Sequence, residues 1–533
     1  MHISRRSFLK ATAVATAAGA YPRKAWTAAA NARSAVREFH VCAAPQILET
    51  NPELLQVFAQ SGVQHVWMAG FFYGYWPIEP AVIQKWMGRV RDAGMAPHAI
   101  NIPLGHPGDA LNAPDHTPPT APPSHWRMAV KPDGGTYSGT SLHEPATAEN
   151  VEAVKVLAGL GFDRLFLDDD FRLAVGPGVI GGCFCDEHRD AFLKQHGYAA
   201  ERWPELLDDV KGRRLSPIMR SWVEFTCDQL TACFRAQQAA APDLALGNMI
   251  MYFGAEKAGI RLSDYADALF RVGELMFNDD SFGNVKGKTG ELFSCLFHRR
   301  YAKPELAYSE TTAFPAVKLS ARNMAAKLAV STLSDVRNTM YMSGITPFPV
   351  THWDVLAPAM RKHAAIHERL AGHKPAGPFK HYWGEASRYI GDDNPYSLFL
   401  AAGVPFEVTE QLGPEGWTFL SEWDARDVAE GKLQSAGTTL IARQAATPAA
   451  ASIRVVSEDL PALFALKKEV TANLRDVPYV VDDEPVVCGW YPSARAVLLW
   501  NLEETGKSLS VAYNDKRIPV EVDALDVALI DIE

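Results

Sequence analysis

Three consecutive carboxylates, Asp168, Asp169 and Asp170, directly follow the apolar run 165–167. A short apolar run of this kind is typical of a buried strand, so the acids stand where that strand ends. Adjacent like charges raise one another's pKa, and a fold retains such a group most readily where the charge is used. The C-terminal ends of strands are where α/β barrels place their catalytic residues. The motif therefore predicts an enzyme.

A second motif, C-x-C-x-x-H, places Cys183, Cys185 and His188 within six residues. Two thiolates and an imidazole at this spacing suit tetrahedral Zn²⁺, and His143 in the preceding loop is the candidate fourth ligand. Four protein ligands leave no open position, so the motif predicts a structural zinc site. Unligated loop thiols are the alternative. The remaining cysteines stand in apolar surroundings and are predicted to be buried thiols: Cys42, Cys227, Cys233, Cys295 and Cys488.

Paired carboxylates are the main chemical prediction for the barrel mouth. Retaining glycosidases use two, about 5–5.5 Å apart, one as acid/base and one as nucleophile. The strand-four aspartates are candidates, and so is Glu310 after the seventh predicted strand. Strands four and seven lie on opposite sides of an eight-stranded barrel, so their terminal carboxylates can flank a sugar. Asp279, after the sixth predicted strand, is a candidate substrate contact or a structural residue.

Aromatic side chains follow two other predicted strands. Tyr73 and Trp76 come after the second strand, and Trp353 comes after the eighth. Sugar rings present apolar C–H faces that stack on aromatic rings, so these residues are predicted substrate contacts. Packing of the same rings against the barrel rim is the alternative.

The elements that must position these groups form a repeating pattern. Over residues 37–375 short apolar runs alternate with helical patterns, as in a (β/α)8 TIM barrel. Doubly wound open sheets share this alternation and remain an alternative. Two long connections, near 104–143 and over 171–215, follow strand C-terminal ends, where active-site loops belong. The predicted strands are 39–43, 63–69, 98–103, 164–169, 244–252, 274–279, 305–309 and 339–343.

A chain of 533 residues is too long for one compact core. Past residue 375 the pattern becomes that of a small α/β domain and then of alternating strands typical of an antiparallel β-domain. The predicted divisions are a signal segment at 1–32, a barrel at 33–375, an α/β domain at 376–450 and a β-sandwich-like domain at 451–533.

The N-terminal segment predicts export. Arg5 and Arg6 lie in S-R-R-S-F-L-K, a twin-arginine signature, and the Ala/Thr run behind it is too short to span a bilayer. A basic helix that stays attached is the alternative. Removing residues 1–32 takes five Lys and Arg and no acid, leaving 47 basic against 62 acidic residues. This acidic balance argues against nucleic acid as a partner. No later run of about 18 apolar residues predicts a membrane span, so a periplasmic or secreted protein is expected.

Together these motifs resemble glycoside hydrolase family 42, a β-galactosidase family. Its members carry D-N-E-[YF] at the end of strand four and C-[YF]-C-x-x-C shortly afterwards, where this chain has D-D-D-F at 168–171 and C-F-C-D-E-H at 183–188. The resemblance implies that Asp170 is the acid/base, that Glu310 is the nucleophile and that Asp169 replaces an Asn that contacts the sugar. It also implies zinc at the His/Cys cluster, a flavodoxin-like trimerisation domain at 376–450 and hence a homotrimer.

Three hypotheses follow. The first is a secreted, β-galactosidase-like retaining glycoside hydrolase acting on an oligo- or polysaccharide. The second is a barrel that binds carbohydrate without cleaving it, because Asp170 replaces a longer glutamate and shifts the acid by roughly an ångström. The third is a metal-dependent hydrolase in which Asp168 and Asp170 join histidines as ligands of a catalytic ion.

Overall fold

The computed structural model describes residues 36–104, 122–168, 171–174, 176, 178–251, 253, 256–273, 278–313, 315–343, 346–435, 437–444 and 452–532. Eight parallel strands of this region form a closed barrel: β1 Glu38–Cys42, β2 His65–Phe72, β3 Ala96–Ile102, β4 Arg164–Leu167, β5 Ala245–Met251, β6 Leu269–Gly273, β7 Ala307–Thr312 and β8 Asn338–Met342. Around the barrel the order is β1-β8-β7-β6-β5-β4-β3-β2. The predicted TIM barrel is confirmed.

Helices between the strands pack against the outer face of the barrel. The longest of them is Pro217–Ala240, which has proline in its first turn. Its N-cap residue is Ser216, whose side chain accepts a hydrogen bond from the Met219 N–H. The α-helices of the barrel region are Pro45–Thr50, Leu54–Ser61, Pro80–Asp92, Ala146–Leu160, Asp186–His196, Trp203–Gly212, Pro217–Ala240, Asp279–Phe282, Val285–His298, Ala321–Ala326, Leu328–Ser334 and Val350–Leu370.

The barrel lumen is filled in layers because successive strand residues alternate between the two faces of the sheet. Its middle layer is the apolar cluster Cys42, Trp67, Ile100, Phe166, Leu269, Tyr308 and Met340. Two residues beyond Phe166, Leu269 and Tyr308 come Asp168, Arg271 and Glu310, respectively. The alternation therefore carries these three charged side chains to the C-terminal mouth of the lumen.

The sixth strand lies earlier than predicted. It spans Leu269–Gly273, whereas the sequence pattern favoured 274–279; residues 274–277 lie outside the described residues. Asn278 caps the start of a helix at Asp279, because its side chain accepts a hydrogen bond from the Ser281 N–H. This shift moves Asp279 from a strand end into a helix.

A second, parallel sheet follows the barrel. Its strands are β9 Phe379–Tyr382, β10 Phe406–Thr409, β11 Trp417–Leu420, β12 Thr439–Ala442 and β13 Ile453–Val455, in the order β10-β9-β11-β12-β13. That is the strand order of flavodoxin-like sheets. The helices Glu385–Ile390, Glu422–Ala429 and Leu460–Thr471 accompany it. Its last strand lies beyond residue 450, the predicted boundary.

The C-terminal region consists of two antiparallel sheets of three strands each, as expected for a small β-domain. One contains β14 Tyr479–Val480, β17 Lys507–Tyr513 and β18 Lys516–Val522. The other contains β15 Val486–Tyr491, β16 Ala496–Asn501 and β19 Val527–Asp531. In the part of the chain that the structure describes, no helix combines the length and apolar character needed to cross a bilayer.

Buried ion pairs join the barrel to the second sheet region. The Lys257 ammonium, in the loop after β5, lies 2.7 Å from the Asp393 carboxylate, and both side chains are buried. Next to it, Arg388 pairs with Glu256. Breaking either buried pair would leave an uncompensated charge, so the contacts hold the two regions together.

Candidate functional site

Arg271 joins two carboxylates at the C-terminal mouth of the lumen. Its Nε lies 3.2 Å from Oε2 of Glu310, and its terminal nitrogen donates to Oδ1 of Asp168. The exposed fractions are 0% for Arg271, 1% for Glu310 and 4% for Asp168. Because β5 separates β4 from β6, the arginine reaches across one strand to Asp168. The charged groups of strands four, six and seven thus form one buried cluster.

Glu310 is placed by its strand as well as by its partners. Every residue of β7 is buried, and Glu310 faces Met340 of β8 in the parallel register. The Thr312 hydroxyl donates to Oε1 of Glu310, so each carboxylate oxygen has a neighbouring donor. The predicted nucleophile therefore has polar neighbours at both oxygens, at the end of the strand where barrel enzymes carry such groups.

The predicted acid/base Asp170 and its neighbour Asp169 lie outside the described residues. Asp168, the first acid of the motif, directly follows β4 and turns into the lumen toward Arg271. Its backbone N–H donates to the Asn101 carbonyl oxygen of β3, which fixes the exit of the chain from the barrel. The motif therefore starts at the mouth, as the sequence predicts.

The aromatic residues predicted after β2 are placed differently from each other. Tyr73 is 1% exposed and has φ of 56°, a left-handed backbone conformation that costs a non-glycine residue about 1–2 kcal/mol. Its N–H donates to the Ile102 carbonyl oxygen, which holds it in place. Trp76 is half-buried and packs against Phe71, with ring centroids 5.5 Å apart. Of the two, Trp76 retains accessible surface for a ligand.

Asp279 and Trp353 take structural positions. Oδ1 of Asp279 accepts hydrogen bonds from the Ser320 N–H at 2.9 Å and from Asn323 Nδ2 at 2.7 Å, which ties two helices together. Trp353 lies in the helix Val350–Leu370, is 2% exposed and packs against Phe58 and Tyr341. The structure does not bring either side chain to the Arg271 cluster.

The four predicted metal ligands meet in one buried group. One donor atom each of His143, Cys183, Cys185 and His188 lies within 4.8 Å of the others. Cys185 Sγ is 3.4 Å from His143 Nε2 and 3.3 Å from His188 Nδ1. Neighbouring donors around tetrahedral zinc, at the usual zinc–sulfur and zinc–nitrogen bond lengths, are about 3.5 Å apart. The residues present therefore fit a four-coordinate, closed zinc site.

The surroundings of this group favour a cation. Burial raises the pKa of the Cys183 thiol to about 11, so its thiolate needs a positive neighbour. Burial also lowers the pKa of His188 to about 4, which keeps its ring neutral and available as a ligand. On the outside of the cluster Glu187 Oε2 lies 3.4 Å from His143 Nδ1, where it can accept that ring's N–H, and 2.7 Å from Arg127, which offsets the charge of the guanidinium. Such outer contacts orient ligand side chains.

A second group with metal-ligand residue types, Glu38, His40 and His65, lies at the N-terminal end of the lumen. Both ring nitrogens of His40 already have partners: Trp67 Nε1 donates to its Nδ1 at 3.1 Å, and its Nε2 lies 3.1 Å from Asn338 Oδ1. The Arg164 guanidinium lies 3.7 Å from Glu38 and repels a cation. The geometry disfavours a metal here.

Arg271 is the residue that sequence reasoning missed. It stands in the apolar run L-F-R-V-G, where a single charge in a barrel strand is itself a signal. The shift of the sixth strand hid it, because the predicted strand began after it.

Comparison with known proteins supports the N-terminal prediction. Residues 2–20 match the family model for the TAT (twin-arginine translocation) pathway signal sequence. The predicted twin-arginine signal is confirmed, and with it export by that pathway. No curated protein matches the chain.

Solved β-galactosidase structures match most of the chain. That of the Antarctic haloarchaeon Halorubrum lacusprofundi is 12% identical, with 93% of this chain and 99% of that chain covered and a TM-score of 0.56. The enzyme of the psychrophilic Marinomonas ef1 is 10% identical, with 93% and 100% covered and a TM-score of 0.57. A catalytic mutant of Gan42B, a GH42 β-galactosidase from G. stearothermophilus, is 10% identical, with 93% and 98% covered and a TM-score of 0.58. The predicted resemblance to family 42 is thus confirmed in fold, at low sequence identity.

Proposed function

We propose that the mature protein is an exported retaining glycoside hydrolase of the β-galactosidase type, acting on an oligo- or polysaccharide. The observation that carries the proposal is the position of Glu310, a buried, oriented carboxylate at the lumen end of β7. Asp168, the first of the strand-four aspartates, is linked to Glu310 through Arg271. The shared fold with family 42 β-galactosidases adds support.

In the proposed mechanism Glu310 attacks the anomeric carbon with one carboxylate oxygen. The bond from that carbon to the leaving oxygen breaks, and Asp170 gives its proton to that oxygen. Asp170 then takes a proton from water, whose oxygen displaces Glu310 and releases the sugar with its configuration retained. Trp76 would stack on a sugar ring at the rim, and Asp169 would contact a hydroxyl.

We further propose that the His143, Cys183, Cys185 and His188 group holds one structural Zn²⁺. When bound, the ion supplies a fixed four-way link and no reactive position. Its ligands come from the loop before helix Ala146–Leu160 and from the start of helix Asp186–His196, so the link secures the long loop beside the mouth. A homotrimer through the second sheet region also remains a proposal.

The testing experiment is hydrolysis of a panel of aryl α- and β-glycosides by the mature protein, by Glu310→Gln and by Asp170→Asn. Glu305→Gln is the matched control, because Glu305 is exposed and lies in the 3-10 turn Pro304–Leu306, just before β7 begins. Turnover of a β-galactoside that is lost in the first two variants and kept in the control supports the proposal. Glycan binding that is equal in all proteins, without turnover, would instead favour the carbohydrate-binding barrel.

A metal-dependent hydrolase is the less favoured reading. Asp168, one of its required ligands, already pairs with the Arg271 guanidinium, and a positive charge occupies the place where a cation would bind. Activity abolished by a chelator and restored by metal, in protein whose His/Cys cluster is intact, would reverse this ranking.

A further inference from the structure

Charged side chains at the C-terminal mouth of the lumen are linked through Arg271. Two carboxylates share a single guanidinium, and all three side chains are at most 4% exposed. Charges excluded from water interact strongly, and each buried ion needs a partner. The two pairs are therefore linked: when one carboxylate is neutralised, the other still pairs with Arg271.

Glycosyl transfer to Glu310 neutralises one of the two carboxylates. As its oxygen bonds to the anomeric carbon, the carboxylate becomes a neutral ester, and the negative charge passes to Asp170, which has given its proton to the leaving oxygen. Esterification of Glu310 removes one of the two charges that the buried Arg271 contacts, which is unfavourable for a guanidinium excluded from water. Asp168 removes this cost because it stays ionised and stays bound to Arg271.

We infer that Arg271 is a positioning residue that keeps Glu310 ionised and aimed, and that Asp168 is the counter-ion that lets Arg271 remain in place throughout the reaction. The inference rests on the proposed function for its catalytic consequence. It goes further in assigning separate roles to the first acid of the strand-four motif and to an arginine of strand six.

The arrangement requires the shape of the arginine side chain. A guanidinium offers donors along two edges, so Nε can face Glu310 while a terminal nitrogen faces Asp168. Lysine keeps the charge but has a single donor group, which can serve one carboxylate well and the other poorly. Arg271→Lys should therefore keep part of the stabilisation of the two carboxylates that is lost in Arg271→Met.

The first measurement needs no substrate. The carboxyl carbon of Glu310 is titrated by ¹³C NMR in the mature protein and in Arg271→Met, with the signal assigned from its loss in Glu310→Gln. We expect the Glu310 pKa to rise by at least one unit in Arg271→Met and by less in Arg271→Lys. Lys257→Met, which removes a buried cation elsewhere in the barrel, should leave it unchanged. An identical Glu310 pKa in the mature protein and Arg271→Met would overturn the inference.

The second measurement uses the best glycoside of the panel. In Arg271→Met the acid limb of the kcat/KM profile should move to higher pH by the same amount as the Glu310 pKa. Asp168→Asn should lower kcat/KM at least tenfold, because it removes the carboxylate that still pairs with Arg271 once Glu310 has become an ester. Unchanged kcat/KM in Asp168→Asn would refute the counter-ion role.

The two proposals fail separately. If the mature protein cleaves no glycoside, the proposed function is wrong, while the NMR titration still decides whether Arg271 controls Glu310. If Arg271→Met does not fold, as judged by circular dichroism, the same titration is carried out on Arg271→Lys. A Glu310 pKa in that variant equal to that of the mature protein would then overturn the positioning role.

Discussion

The two ends of the barrel lumen bury polar side chains in different ways. At the C-terminal mouth Arg271 pairs with Asp168 and Glu310, so the groups are held by full charges. At the N-terminal end, His65 Nδ1 lies 2.9 Å from His98 Nε2, and His98 Nδ1 lies 2.9 Å from Asp163 Oδ1. There the contacts are hydrogen bonds of imidazole rings.

This difference separates a reactive end from a structural one. Burial lowers the pKa of His65, and lowers that of His98 to about 4, so both rings are uncharged at neutral pH. Neutral rings are far less costly to bury than the charged cluster at the mouth. A fold retains buried charge chiefly where chemistry uses it, and barrel enzymes react at the C-terminal end. The following predictions test this contrast, from the largest effect to the smallest.

The largest difference should appear in activity. Glu310→Gln should lower turnover of the best glycoside about 10⁴-fold or more, as expected for loss of a nucleophile. Glu38→Gln, the same substitution at the N-terminal end, should change it less than about threefold, since Glu38 is 44% exposed and far from the mouth along β1. Steady-state kinetics of the two purified variants decide this. A similar loss in both would contradict the assignment of separate roles.

Stability should distinguish the two arginines of the lumen. Arg271→Met removes the guanidinium that pairs with two buried carboxylates and should lower the free energy of unfolding by about 3–5 kcal/mol at pH 7. Arg164→Met, at the half-exposed N-terminal end, should lower it by less than about 1 kcal/mol. Urea unfolding followed by tryptophan fluorescence measures both values. Equal losses would show that the mouth is no more dependent on charge than the other end.

The stability contributed by the N-terminal end of the barrel lumen should decrease in acid. Because the folded-state pKa of His98 is about 4, the unfolded chain binds more protons than the folded one between pH 6.5 and 4. The contribution of the neutral His98 ring to the free energy of unfolding is fully present above pH 6.5. It is lost as the pH falls, by about 2 kcal/mol between pH 7 and 5.

Replacing this histidine tests the sign of that effect. In His98→Gln the decline in unfolding free energy from pH 7 to 5 should be smaller than in the parent protein, while other buried histidines such as His298 keep it above zero. Urea unfolding at the two pH values provides the comparison. An equal or steeper decline in the variant would argue against His98 as a source of acid sensitivity.

Removal of the metal should cause the smallest change in global stability, and that change should be confined to the region of the His/Cys cluster. We expect one zinc per chain by elemental analysis, and less than about 0.1 in Cys185→Ser. Loss of the ion should lower stability by about 1 kcal/mol, or roughly 2 °C in the melting temperature.

Hydrogen exchange locates that effect. Amide exchange should accelerate at least tenfold in the helix Asp186–His196, whereas β1 and the lower half of β2 should not change. Arg189→Ala is the control, because Arg189 is on the same helix and pairs only with exposed acids among the contacts described. Uniform acceleration throughout the barrel would indicate a global role for the cluster.

Several site predictions could be made from the sequence because local rules decide them. The residues of C-x-C-x-x-H are close in the chain, so their meeting at one helix start requires little tertiary information. Asp168 and Glu310 follow from strand ends, which apolar runs mark well. Asp279 was misplaced because its apparent strand ended at a helix cap, and Trp353 because a tryptophan after a strand can face either the mouth or the helix layer.

The sequence by itself determined which side chains of one strand share a face, because the alternation of strand residues is a property of the chain. The steps from Phe166 to Asp168, from Leu269 to Arg271 and from Tyr308 to Glu310 are each two residues. Only the tertiary structure decided that these three charges form one cluster. Closure of the barrel sets the distance between β4, β6 and β7, and that distance lets a single guanidinium reach two carboxylates.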